Sequence, residues 1–174
     1  MAASNPPRVF LAHSKEDKPL VLEIYQLLQL DGFMPWVDKE NLVTGHDWEL
    51  EIEKAVQESD VVIVFISSSG MDRNGYLHKE LALAIEAAQR KPEGAIYIIP
   101  ICLDGCEPPK RLAHLHYSTF PRDMVAEIYE TLRLSLLTRS AELGLITTTQ
   151  LEEVPTEQMM IKVGNLRQFV LDDI

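Results

Sequence analysis

Apolar residues fall along the chain in two rhythms. Short continuous runs occur at Val9-Phe10-Leu11-Ala12, Phe33-Met34-Pro35-Trp36-Val37, Val61-Val62-Ile63-Val64-Phe65-Ile66 and Ala95 to Leu103. Unbroken runs rich in β-branched residues predict strands buried on both faces, as in a parallel sheet. Between them the spacing changes to that of a helix with one apolar face. Leu20, Ile24, Leu27 and Leu28 mark the first helix, near Leu20 to Leu30, with Asp31-Gly32 as its stop. Asp47 precedes a second helix, Trp48 to about Glu58, whose Glu49 and Glu51 suit the positive end of the helix dipole. Ser67-Ser68-Ser69 makes a turn and caps the next helix, where Leu77, Leu81, Ala84, Ile85 and Ala88 form the predicted buried face. A short strand near His116 to Thr119 and a helix from about Arg122 to Thr138 complete the pattern.

Strands and helices therefore alternate, which predicts an α/β fold with helices on both faces of a parallel sheet. Pro35 cannot donate to a hydrogen-bond ladder, so its strand belongs at an edge. That placement selects the flavodoxin-like five-stranded order 2-1-3-4-5. Ligands in such sheets bind beyond the carboxyl ends of strands 1 and 3. Here those ends lead into His13-Ser14-Lys15 and Ser67-Ser68-Ser69. The folded domain is read as residues 7–140. Residues 141–174 carry six acidic and two basic side chains and are read as an acidic tail or linker. Met159, Val163, Leu166 and Val170 would share one face of a helix there, though Gly164 weakens it.

The 174 residues suit one domain with a sizeable core, and the net charge of −11 argues against a nucleic-acid surface. Charged residues interrupt every candidate membrane span, and the N-terminus lacks the pattern of a signal peptide. A cytoplasmic protein is expected. Cys102 and Cys106 give no disulfide framework, and with His114 and His116 the only nearby co-ligands no metal site is expected. There is no Walker-type phosphate loop, no Gly-x-Gly-x-x-Gly turn after the first strand and no Gly-x-Ser-x-Gly elbow.

One carboxylate stands out. Glu80 sits off the predicted buried face, and no Lys or Arg lies three or four positions away in either direction. A glycosidase usually needs two carboxylates, because an alkoxide leaving group must be protonated. One suffices when the leaving group is already good. The cationic ring of NAD⁺ departs as neutral nicotinamide, so stabilising the positive charge that develops on ribose is enough.

The chain resembles the Toll/interleukin-1 receptor (TIR) domain family. The segments that carry the likeness are Val9-Phe10-Leu11-Ala12-His13-Ser14, Asp31-Gly32-Phe33 through Trp36-Val37-Asp38, Leu42-Val43-Thr44-Gly45 and Tyr76-Leu77-His78-Lys79-Glu80. They occur in order, and the similarity as a whole spans about residues 7 to 140. Enzymatic members of the family, common in prokaryotes, cleave NAD⁺, whereas many animal members are adaptors that act by TIR–TIR contact. Enzymatic members carry an aromatic-x-x-x-Glu on the third helix. Tyr76-x-x-x-Glu80 matches, with Tyr where Trp is more usual. By that resemblance Glu80 is the catalytic carboxylate and Tyr76 lines the nicotinamide end. His13, Ser14 and Lys15 line the pocket from the first loop, and Asn41 and Gly45 from the second. NAD⁺ is then a substrate, giving ADP-ribose or a cyclic isomer, and no cofactor is implied. The family implies a role in anti-phage defence, homotypic assembly through residues 38–47, and a sensor or effector partner. The alternatives are a non-enzymatic adaptor, a virulence factor, or an enzyme like the nucleoside deoxyribosyltransferases.

Overall fold

The computed structural model describes residues 6–37, 47–71 and 76–145; the side chains of Trp48, Met71 and Tyr76 also lie outside the description. Strand β1 spans Arg8–Ala12 and leads through a 3₁₀ turn, Lys15–Asp17, into helix α1, Lys18–Leu30. Strand β2 is Met34–Trp36, α2 is Trp48–Glu58 and β3 is Val61–Ile66. A short helix α3, Ser68–Met71, precedes α4, Tyr76–Ala88. Strand β4 is Ile98–Leu103, β5 is Ser118–Phe120, and α5, Val125–Glu142, follows.

All four strand pairings are parallel and the order is β2-β1-β3-β4-β5, as expected. Pro35 lies in the edge strand β2, opposite Val9. A second proline, Pro100, occupies β4. It pairs with Val64 of β3, but β5 joins only from Ile101 onward, so its missing N–H falls where no β5 partner stands.

The helix ends follow local chemistry. Asp47 Oδ1 accepts from Glu49 N (3.1 Å) and Leu50 N (3.4 Å), capping α2 as the sequence predicts. At the end of α1, Gly32 takes φ +84°, with Gly32 N donating to Gln29 O and Phe33 N to Leu28 O. Gly144 ends α5 in the same way, with Leu145 N donating to Ser140 O. A side chain at either glycine would strain this paired 5→2 and 6→1 closure.

Alternation along the strands sends side chains to two cores. Val9, Leu11, Ile63, Phe65, Ile101 and Leu103 pack against α1 and α5. Phe10, Ala12, Val62, Val64, Ile66 and Cys102 pack against α2 and α4, with Phe10 stacked on Trp36 at 5.0 Å between ring centres. Each core holds a buried tyrosine whose hydroxyl is used. Tyr129 donates to Leu27 O (3.1 Å) and Asp31 Oδ2 (3.0 Å), and Tyr97 donates to Val56 O (2.8 Å). Burial, and then the nearby Asp60 charge, push the Tyr97 phenol up to about 12.

Several boundaries differ from the sequence reading. Strand β4 starts at Ile98 rather than Ala95, because a turn closed by Ala95 N donating to Pro92 O precedes an irregular stretch that seats Tyr97 against α2. The serines after β3 do more than turn, since Ser68 opens helix α3. Helix α5 begins three residues later than expected and runs on to Glu142. None of the helices among the described residues is long and apolar enough to cross a membrane.

Candidate active site

In this topology the helix N-termini and the strand C-termini share one rim. Two polar constructions stand on it. The first is a carboxylate cage between the loops that follow β1 and β3. Asp17 is only 1% exposed. Its Oδ2 accepts from Ser14 Oγ (2.6 Å) and Ser67 Oγ (2.7 Å), and its Oδ1 lies 2.7 Å from the Arg122 guanidinium. Arg122 also donates to Ser69 Oγ (3.2 Å), while Asp104 accepts from the backbone N–H and hydroxyl of Ser68. Gly70 closes the cage. A Cβ there would stand 2.8 Å from Ser14 Cβ, inside the limit for any side chain.

The second construction is built on α4. Leu77, Leu81, Ala84 and Ala87 are its buried residues, and Glu80 is buried among them at 1% exposure. The spacing from 77 to 80, 84 and 87 is one helical stripe. This corrects the expectation that Glu80 stands off the buried face with Ile85 and Ala88 inside, since those two are only half-buried. A helix turned slightly about its axis exchanges one edge of the stripe for the other. Glutamate is almost never fully buried unless it is paired, because dehydrating its charge is costly. Glu80 lines a cavity of about 310 Å³ between α2 and α4, with Glu49, Ile52, Glu53, Ala82 and Leu83 among its walls. Lys79 Nζ reaches across to Glu49 Oε1 (2.7 Å) and ties the two helices at the surface.

The structure places the other expected residues as follows. His13 is buried at the end of β1, with Nδ1 3.1 Å from Leu11 O. Ser14 is buried and bonded to Asp17, and Lys15 is exposed at the start of the 3₁₀ turn. None of the three is among the described residues lining the Glu80 cavity. The backbone of Tyr76 opens α4. Asn41 and Gly45, and the Asp38–His46 segment that holds them, lie outside the described residues.

Ser67 was anticipated on this rim; Asp17, Asp104 and Arg122 were not. The repeated small polar residues Ser14, Ser67, Ser68 and Ser69 were the available signal. Arg122 had none, because it comes from the approach to α5, far from Asp17 in sequence. The Cys102 and Cys106 thiols are held protonated: burial raises both, Cys106 to about 12. Neutral thiols are poor nucleophiles.

Residues 9–134 match the TIR domain family. The chain belongs to that family. No curated protein sequence matches it. Among solved structures it is similar to the TIR domain of the Toll-related receptor TRR-2 from Hydra magnipapillata, at 22% identity and a TM-score of 0.59, covering 74% of this chain and 97% of that one. It is also similar to the TIR domains of the activated Roq1 resistosome, at 15% identity and a TM-score of 0.51, covering 94% of this chain and 99% of that one. A third similar structure is the Clostridium botulinum CMP N-glycosidase BcmB, at 23% identity and a TM-score of 0.51, covering 73% of this chain and 98% of that one. At these identities the likeness is one of fold.

Proposed function

We propose that this TIR domain is an NAD⁺ nucleosidase that cleaves the bond between nicotinamide and ribose. The observation that carries the reading is the burial of Glu80 in an otherwise apolar helix stripe, on the wall of a cavity. A volume of about 310 Å³ is at the small end of the ~300–1,000 Å³ typical of ligand pockets. It suits the nicotinamide riboside end of the dinucleotide rather than the whole molecule. That an N-glycosidase shares the fold supports the same class of bond cleavage.

In the proposed reaction the bond from ribose C1′ to the nicotinamide ring nitrogen breaks. Its electron pair goes to the ring, which leaves neutral. Both Glu80 oxygens are buried in this structure; in the proposed reaction the carboxylate comes to face the oxocarbenium-like ribose and accepts hydrogen bonds from its hydroxyls. Water adding to C1′ and losing a proton gives ADP-ribose. Attack by another atom of the same molecule gives a cyclic isomer. Ile52, Ala82 and Leu83 provide apolar walls that strengthen the electrostatic effect of the carboxylate. Tyr76, His13, Ser14, Lys15, Asn41 and Gly45 remain the proposed contacts to the rest of the substrate. A role in anti-phage defence belongs to the same proposal.

A second reading is the signalling adaptor, for which Leu50 offers a contact. This leucine is 62% exposed in the first turn of α2, next to the segment expected to mediate TIR–TIR contact. An exposed leucine at that place suits homotypic assembly, which is compatible with either function. Incubating concentrated protein with NAD⁺ and resolving the products by chromatography separates them. The enzyme releases nicotinamide; the adaptor gives no turnover even when assembled.

A further inference from the structure

Among the described residues, a cavity larger than the one beside Glu80 lies at the opposite end of the sheet from the Glu80 rim. It is a groove of about 770 Å³ beside the start of β4. Its apolar walls are Ile85 and Ala88 of α4, Ile96 and Ile98, and Leu112 and Leu115 of the segment before β5. All but Leu112 are only half-buried. Arg111, His114 and His116 also line it and are exposed. None of these three makes a hydrogen bond or ion pair with the described residues. Glu93 is the acidic side chain of the wall. A basic rim around an apolar floor is unusual on a chain of net charge −11.

The end of α5 adjoins this groove. Ser135 forms part of its wall, and Ile96 N donates to Glu142 Oε2 at 3.5 Å. The last described turns of α5 therefore stand beside the groove. Residues 146–174 hold five acidic and two basic side chains. The acids stand in two groups: Glu152, Glu153 and Glu157 come before the stripe of Met159, Val163, Leu166 and Val170, and Asp172 and Asp173 come after it. Lys162 and Arg167 border the stripe. The order acidic, apolar, acidic is complementary to an apolar floor with a basic rim.

We propose that the groove is the docking site of the chain's own segment 157–171, in cis. The apolar stripe lies on the walls from α4, β4 and the 112–115 segment, and the acidic flanks meet Arg111, His114 and His116. The intervening residues 146–156 span up to roughly 35 Å when extended, so reach is no obstacle. Tethering raises the effective concentration of the segment to the order of millimolar. A free peptide of the same chemistry would have to exceed that to compete. The proposal does not depend on the chemistry assigned to Glu80.

Hydrogen–deuterium exchange on the full chain tests it. Amides of 157–171 are expected to exchange at least about tenfold more slowly in the wild type than in an Arg111→Glu/His116→Glu variant, independently of protein concentration. A second variant, Val163→Asp/Leu166→Asp, leaves the described domain unaltered and is expected to speed exchange at 111–116. Equal exchange of 157–171 in the wild type and the groove variant overturns the proposal. So does unchanged exchange at 111–116 in the Val163→Asp/Leu166→Asp variant. Protection that disappears on dilution assigns the groove to a second copy and overturns docking in cis.

Discussion

The two faces of the sheet are made from neighbouring residues of the same strands, yet they serve different ends. The face under α1 and α5 is a dry core of large side chains. Ile24 and Leu28 meet Ile128, Leu132 and Leu136 across Leu11, Ile63 and Ile101, and Tyr129 donates its hydroxyl to the end of α1. The face under α2 and α4 is closed with smaller residues, Ala84 and Ala87, and it contains Glu80. Helix α4 lines the Glu80 cavity with its first half and the basic groove with its second. Apolar contact is maximised on one face, where it stabilises. The other gives up some of it around a carboxylate, a loss of stability that the proposed chemistry at Glu80 would account for.

Substitutions that break this contrast have graded effects. Ile128→Ala, in the dry core, is expected to cost about 2–5 kcal/mol of stability by urea denaturation, with unchanged activity per folded molecule. Asp17→Asn, at the rim where the two faces meet, removes the charge that pairs with Arg122. It weakens two short hydroxyl contacts at the same time. Because the guanidinium is partly exposed, the loss should be about 2 kcal/mol and should shrink at high salt. Lys79→Ala breaks an exposed ion pair between α2 and α4. It is expected to change stability by less than about 1 kcal/mol, measurable by urea denaturation. A large stability loss in Lys79→Ala would mean that the α2–α4 face is held by that pair rather than by its apolar contacts.

Much of the architecture was legible because it depends on local signals. Pro35 marked an edge strand, Asp47 a cap and Asp31-Gly32 a helix end, and each does so in the structure. The family and the strand order followed from those signals and the motifs between them. The site was harder to read. The helical rotation that buries Glu80 and leaves Ile85 half-buried is a small turn about the α4 axis, set by packing on β1, β3 and α2 rather than by the sequence of α4 itself. The Asp17–Arg122 pair joins residues more than a hundred positions apart, and no periodicity reports such a contact. The Ser14 hydroxyl donates to Asp17, a contact that no local pattern announced.

The central claim is that the carboxylate buried on the α2–α4 face is there for chemistry. Its most direct test is the rate of nicotinamide release from NAD⁺ by Glu80→Gln, which keeps the side-chain shape and removes the charge, compared with wild type at equal folded protein. The account predicts a loss of about 10²–10³-fold or more, on the scale of removing one transition-state electrostatic contact, with folding retained. Release at the wild-type rate would contradict it.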